Sequence, residues 1–262
     1  MTRLVRSEVA KLLTIRSSYA LVLMTAVGTA GIGVAVALAP HNHGLQRLIF
    51  PARGTPAWYD IVFSALALAE DFALVFGIII MTGEFRHKTA TPTFLAEPRR
   101  GRVAAAKLVV SLGAGVVVMA AAVLAAFVLG LSFVAAGYGD IGEMAGRLGH
   151  VLPGYLAATV LFASYGIGLG ALLKNQVLAL VVGLGVTAVV EPILIAAWPN
   201  VGRWFPSEAA RSLETTSRLA QSGFGADLGH LLPSWEGALV LVGYALVLSL
   251  AGSLTTLRSD IT

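Results

Sequence analysis

Long apolar runs separated by short polar segments dominate the chain, and their lengths predict helices rather than strands. Residues 108–139 are 32 consecutive positions without a charged side chain, and residues 237–257 are 21, against the roughly 20 apolar residues that cross a bilayer as a helix. Six such segments are expected, at about residues 19–39, 61–82, 108–133, 151–173, 177–198 and 237–257. Ahead of the first, Val5, Val9, Leu12 and Leu13 recur at helical spacing, with Arg3, Ser7, Lys11, Thr14 and Ser18 on the opposite face. That pattern predicts an amphipathic helix over about residues 3–17 lying in the membrane interface. The expected fold class is an all-α polytopic membrane protein with one membrane domain over residues 1–262.

Composition agrees with this. Of the 262 residues 57% are hydrophobic and only 12% charged, about half the charged fraction of an ordinary soluble domain, which is near 25%. Too few polar side chains remain to cover a water-soluble surface, so the surface must face lipid. Cysteine is absent, which excludes disulfides and thiolate-bound metal. The net charge of +4 comes from basic residues gathered at the edges of apolar runs, a topology signal rather than a nucleic-acid footprint. The first run is longer than a signal-peptide core of 7 to 15 residues, and Pro40 follows its one cleavage-like stretch; it is read as a retained span.

Counting Lys and Arg orients the chain. With the N-terminus inside, 12 lie on the cytoplasmic side and six outside, three of the six in the long loop at residues 199–236. Basic residues favour the cytoplasmic face, so both termini are expected there. Trp58, Trp198, Trp204 and Trp235 all fall at or near the expected outer ends, where amphipathic rings favour the headgroup layer. The 38-residue outer loop is too short for a separate catalytic domain of ordinary size. Within it, Ser207 is expected to cap a helix running to about Gln221, with Glu214 and Arg218 paired one turn apart. Four imidazoles fall outside, at His41, His43, His150 and His230; they are read as surface residues, and no metal ligands are assigned.

The most informative segment is the loop at about residues 83–107. Thr91 can cap a short helix with Pro92 at its first position, and Pro98 stops it, leaving a stub that displays Phe94 and Leu95 between flanks with six positive charges. A loop that only sets topology needs the charges but not a capped apolar stub. Four features occur in order: Ser7, Glu8, Lys11 and Arg16 in the amphipathic helix; Thr82-Gly83-Glu84-Phe85-Arg86; Pro98-Arg99-Arg100-Gly101-Arg102; and Gly170 to Asn175 after the fourth span. Together with the six spans they resemble the permease subunits of type-2 ATP-binding-cassette (ABC-2) exporters, over nearly the whole chain. The resemblance implies an ABC-2, type V exporter-like membrane domain in the cytoplasmic (inner) membrane of a bacterium. It also implies pairing with a second permease copy or a paralogue, with two separate ATPase subunits beneath. The loop would then be the coupling segment, with Glu84, Phe85, Arg86, Thr91, Phe94, Leu95, Glu97, Arg99 and Arg100 engaging the ATPase. Glu84 is similar to an acid that ties the second span to this segment, although Lys88 one turn on is a possible local partner.

The chain is not expected to be an enzyme itself. It has no G-x-x-x-x-G-K-[ST] phosphate loop, and its nearest glycine cluster, Gly28 to Gly33, lies in an apolar run without a lysine. ATP and Mg2+ would belong to the partner subunit, and no cofactor is assigned to this chain. Glu70 and Asp71 interrupt the second span and Glu191-Pro192 the fifth. Ionised carboxylates at that depth cost roughly 2.5 to 3.5 kcal/mol. One reading makes Glu70, Asp71, Glu191 and Pro192 the lining of a translocation pathway that favours cationic or amphiphilic cargo. The other makes the acids neutral, hydrogen-bonded packing residues, or places Glu70 at the lipid interface. Gly166 and Gly170, four apart, are read as a close helix-packing pair. An ion-coupled secondary transporter using the membrane acids is the competing function.

Overall fold

The computed structural model describes residues 2–38, 51–86, 100–214 and 231–258. Among these every regular element is helical, and six helical segments are long and apolar enough to cross a membrane. In chain order the elements are α1 (Thr2–Thr14), α2 (Arg16–Leu38), α3 (Pro56–Phe63), a 3-10 turn (Ser64–Ala67), α4 (Leu68–Arg86), α5 (Arg100–Ala135) and α6 (Ile141–Leu173). There follow α7 (Gln176–Gly185), a π-helical turn (Val186–Val190), α8 (Glu191–Ala197), α9 (Pro199–Gly202), α10 (Pro206–Leu213) and α11 (Ser234–Arg258).

Helix ends follow local chemistry. Thr55 opens α3 by accepting a hydrogen bond from the Trp58 amide, with Pro56 in the first turn, where its missing N–H costs nothing. Gly137 and Gly139 adopt left-handed backbone between α5 and α6. Asp140 then caps α6 through the Glu143 amide at 2.9 Å. Lys174 ends α6 in the left-handed conformation, φ 53°, and Asn175 immediately caps α7 through the Leu178 amide. The Lys-Asn pair thus turns the chain in two residues.

Several helices overrun the extents read from hydropathy. The helical segment of the second span runs from Pro56 to Arg86, past 61–82 at both ends, with the 3-10 turn inside it. The helices of the third and fourth begin at Arg100 and Ile141, ahead of 108 and 151. The cause is that Arg102, Lys107, Glu143 and Arg147 continue a helical turn whose polar members face neighbouring protein or water. The expected loop at 83–107 therefore shrinks at both ends. Thr91, Phe94, Leu95, Glu97 and Arg99 lie outside the described residues, as do Lys88 and Arg218.

The second and fourth spans form the centre. In their most apolar windows 61% and 67% of positions are buried, against 22% to 28% for the other four spans. α6 packs against α4, α5 and α11, and α2 packs on α5. Glycines set the closest crossing: a Cβ on Gly77 would strike the Ala163 carbonyl, and one on Gly166 the Leu74 carbonyl, with Gly77 Cα only 3.1 Å away. Gly170 meets Met81 and Ile78 one turn further on. Outward faces carry Leu23, Val27, Val117, Leu124, Val181, Leu246 and Leu250, the apolar surface a lipid-facing bundle presents.

The fifth span is interrupted. Pro192 has no N–H to donate, and its ring clashes with the carbonyl four residues back. The turn before it widens into the π geometry, with the Glu191 amide donating to the Val186 carbonyl, a known way for a helix to absorb such a defect.

Candidate functional site

Two buried polar clusters lie at opposite ends of α4. The first joins α1, the end of α4 and the start of α5. Lys107 on α5 is 2% exposed, and its ammonium donates to Glu8 Oε2 at 2.8 Å and to the Ile80 carbonyl at 3.2 Å, with Glu84 Oε1 3.2 Å away. Lys11, half exposed, closes the cluster by pairing with Glu8 and, at 3.3 Å, with Glu84. Burial alone would push the Glu8 carboxyl up, but Lys107 and Lys11 outweigh it and hold the group below its ordinary value. Burial likewise works against the Lys11 ammonium, and Glu8 and Glu84 reverse that, holding it above its ordinary value. The amphipathic helix is therefore pinned to the bundle by ion pairs as well as by its apolar face. Phe85 and Arg86 continue α4 beyond the cluster, where Arg86 Nη1 reaches Gln176 Oε1 at 3.3 Å.

The second cluster surrounds a cavity of about 310 Å³ at the other end of α4. Glu70 and Asp71 reach it from the first turn of α4, while Thr187, Ala188, Pro192 and Ile195 border it from the broken fifth span. α10 lines another side of it with Ser207, Arg211 and, at the helix end, Glu214. The helix can do so because it folds back onto the bundle: Leu213 lies against Gly154, 13 residues past the start of α6, about 20 Å along that helix. Ser234 also donates to the Ser212 carbonyl at 2.8 Å.

Glu70 and Glu214 border the same cavity, and Tyr155 hydrogen-bonds the Glu214 carboxyl. Burial pushes the Glu214 carboxyl up. Arg211 pairs with Glu208 on the same helix. Glu191, 2% exposed, accepts the Ser207 amide on Oε2 at 2.9 Å. Glu70 Oε1 and Glu191 Oε1 have no hydrogen-bond partner among the described residues.

Of the four residues read as pathway lining, Glu70, Asp71 and Pro192 border one cavity, and Glu191 stands beside it. Ser207 is not the cap expected of it: α10 starts at Pro206, and the Ser207 amide serves Glu191 instead. Glu214 borders the cavity beside Glu70, just past the end of a helix that stops at Leu213. The sequence reading missed Glu214, Arg211 and Tyr155 as members of this cluster. It also missed Asp60, a buried α3 acid 3.5 Å from Arg147 of α6. Charges in a polar loop read as solvated, and the only local hint was Pro206 followed by Ala209, Ala210 and Leu213 at helical spacing.

Among the described residues no group of three or more His, Asp or Glu side chains converges as a metal-ligand set. No protein-family model matches the chain, and no curated protein matches it.

Proposed function

We propose that this chain is the permease subunit of an ATP-driven exporter of the ABC-2 kind, forming the substrate pathway as a dimer and coupling to separate ATPase subunits that bind ATP and Mg2+. The observation that supports it most is the Glu8–Lys107–Glu84–Lys11 cluster. The two helices leading into and out of the 87–99 segment are locked there to the amphipathic helix. A force applied to that segment by a partner would reach α1, α4 and α5 together, which a coupling element needs. On this reading the cluster end is cytoplasmic, and the Glu70 cavity belongs to the outer half of the pathway.

The test is co-purification from the native membrane. An ATPase subunit is expected to accompany the unmodified chain and to be lost when Phe94 and Leu95 are both changed to Asp, with the permease still folded. The unpartnered oxygens of Glu70 and Glu191 favour a second reading, an ion-coupled carrier. Purified chain that transports in vesicles under a proton gradient alone, with no ATPase, would replace the exporter reading with that one.

A further inference from the structure

We propose that the cavity bounded by α4, the broken fifth span and α10 binds a small organic cation, a primary ammonium or guanidinium group carried on an apolar body. Three observations carry this. Glu70 lines the cavity, is 7% exposed, and keeps Oε1 without a hydrogen-bond partner among the described residues. A buried carboxylate oxygen left unpaired is costly, and a charged N–H donor relieves that cost best.

Acidic groups outnumber basic ones around the cavity among the described residues. Glu70, Asp71 and Glu214 border the cavity with one guanidinium, Arg211, among the described lining residues, and Arg211 is already paired with Glu208. Glu191 adds a further carboxyl beside the cavity.

Size and walls then select the ligand. About 310 Å³ is far above the ~10–15 Å³ of such space that holds one water, and far more than a bare proton or monatomic ion needs. Leu68, Phe162, Pro192 and Ile195 make much of the boundary apolar. The carboxyls do not converge as metal ligands, so they suit a cation that meets one or two of them at one end and buries carbon at the other.

That such a cation is cargo rests on the exporter reading; that it binds does not, so the two are tested apart. Radiolabelled 2-phenylethylammonium is titrated onto the full chain in lipid nanodiscs, without ATPase or nucleotide, against the neutral 2-phenylethanol as competitor. Saturable binding is expected, with affinity at least tenfold weaker in Glu70→Gln, several-fold weaker in Asp71→Asn, and little displacement by a tenfold excess of the alcohol. No saturable binding, equal competition by the alcohol, or unchanged affinity in a folded Glu70→Gln variant would each overturn the proposal. The competition arm uses the unmodified chain and does not depend on any variant folding. Loss of ATPase co-purification with intact cation binding would remove the exporter and leave the site; the converse result would do the opposite.

Discussion

Replacing Lys107 by Met removes one buried ammonium and leaves two carboxylates facing each other. Glu8 loses its 2.8 Å partner, Glu84 loses one at 3.2 Å, and the Ile80 carbonyl loses a donor. Breaking a buried ion pair from one side costs about 3 to 5 kcal/mol because the partner charge is stranded. Here Lys11 still reaches both acids, which places the expected loss near the lower end, about 3 kcal/mol. Lys11→Met is the control, since its side chain is 46% exposed. Water already screens that ammonium, and Lys107 continues to serve both acids, so the expected loss is below about 1 kcal/mol. Denaturant unfolding in detergent, followed by fluorescence of the buried Trp58, reads both. The gap of about 2 kcal/mol corresponds to more than a factor of ten in the unfolding equilibrium. Adding Glu8→Gln to Lys107→Met removes one stranded charge and should recover part of the loss. Equal destabilisation by the two lysine variants, or no recovery in the double variant, would refute the argument that burial gives Lys107 its weight.

Two further outcomes follow from the same structure. Gly77→Val or Gly166→Val drives a side chain into the backbone of the facing helix and should destabilise the bundle by about 3 kcal/mol, the upper range for overpacking. Gly113→Ala, with open space at its Cβ, should instead gain about 0.5 to 1 kcal/mol from helix propensity; the same unfolding assay compares them. Amide exchange in α1 should depend on pH at both extremes. Glu8 titrates below its ordinary 4.5, so its stabilisation is present above that value and is lost as pH falls through the folded-state value. Lys11 titrates above its ordinary 10.5, so its share is complete below that value and is lost as pH rises through the folded-state value.

The spans were legible because crossing a bilayer imposes a one-dimensional requirement, a run of apolar residues, that sequence displays directly. Their ends were less so: Arg147 and Glu143 look like loop residues until Asp140 is seen to cap a helix that carries them. Glu70, Asp71 and Glu191 stood out because each interrupts an apolar run. Glu214 and Arg211 did not, because a charge inside a polar loop carries no mark of burial; α10 must first fold back against Gly154. Lys107 met Glu8 across 99 residues, each individually readable as a topology charge or as part of a helix face. Pairing of that kind is set by packing, to which hydropathy is blind.

The arrangement of stiff and soft backbone along α4 connects the two clusters. Glu84 and Glu70 are 14 residues apart on one helix, about 21 Å, and between them Gly77 and Gly166 bring α4 and α6 into backbone contact. Interlocked backbones leave no side chain to rotate out of the way, so a displacement at Glu84 moves this pair as a unit. The irregular backbone lies instead at the cavity. The 3-10 turn Ser64–Ala67 and the π turn before Glu191 both border it, and such turns recur at hinges and functional sites. On the exporter reading, motion entering through the 87–99 segment passes rigidly along α4. It is taken up where Glu70 and Asp71 face Pro192 and α10, so the cation cavity is the place whose shape changes.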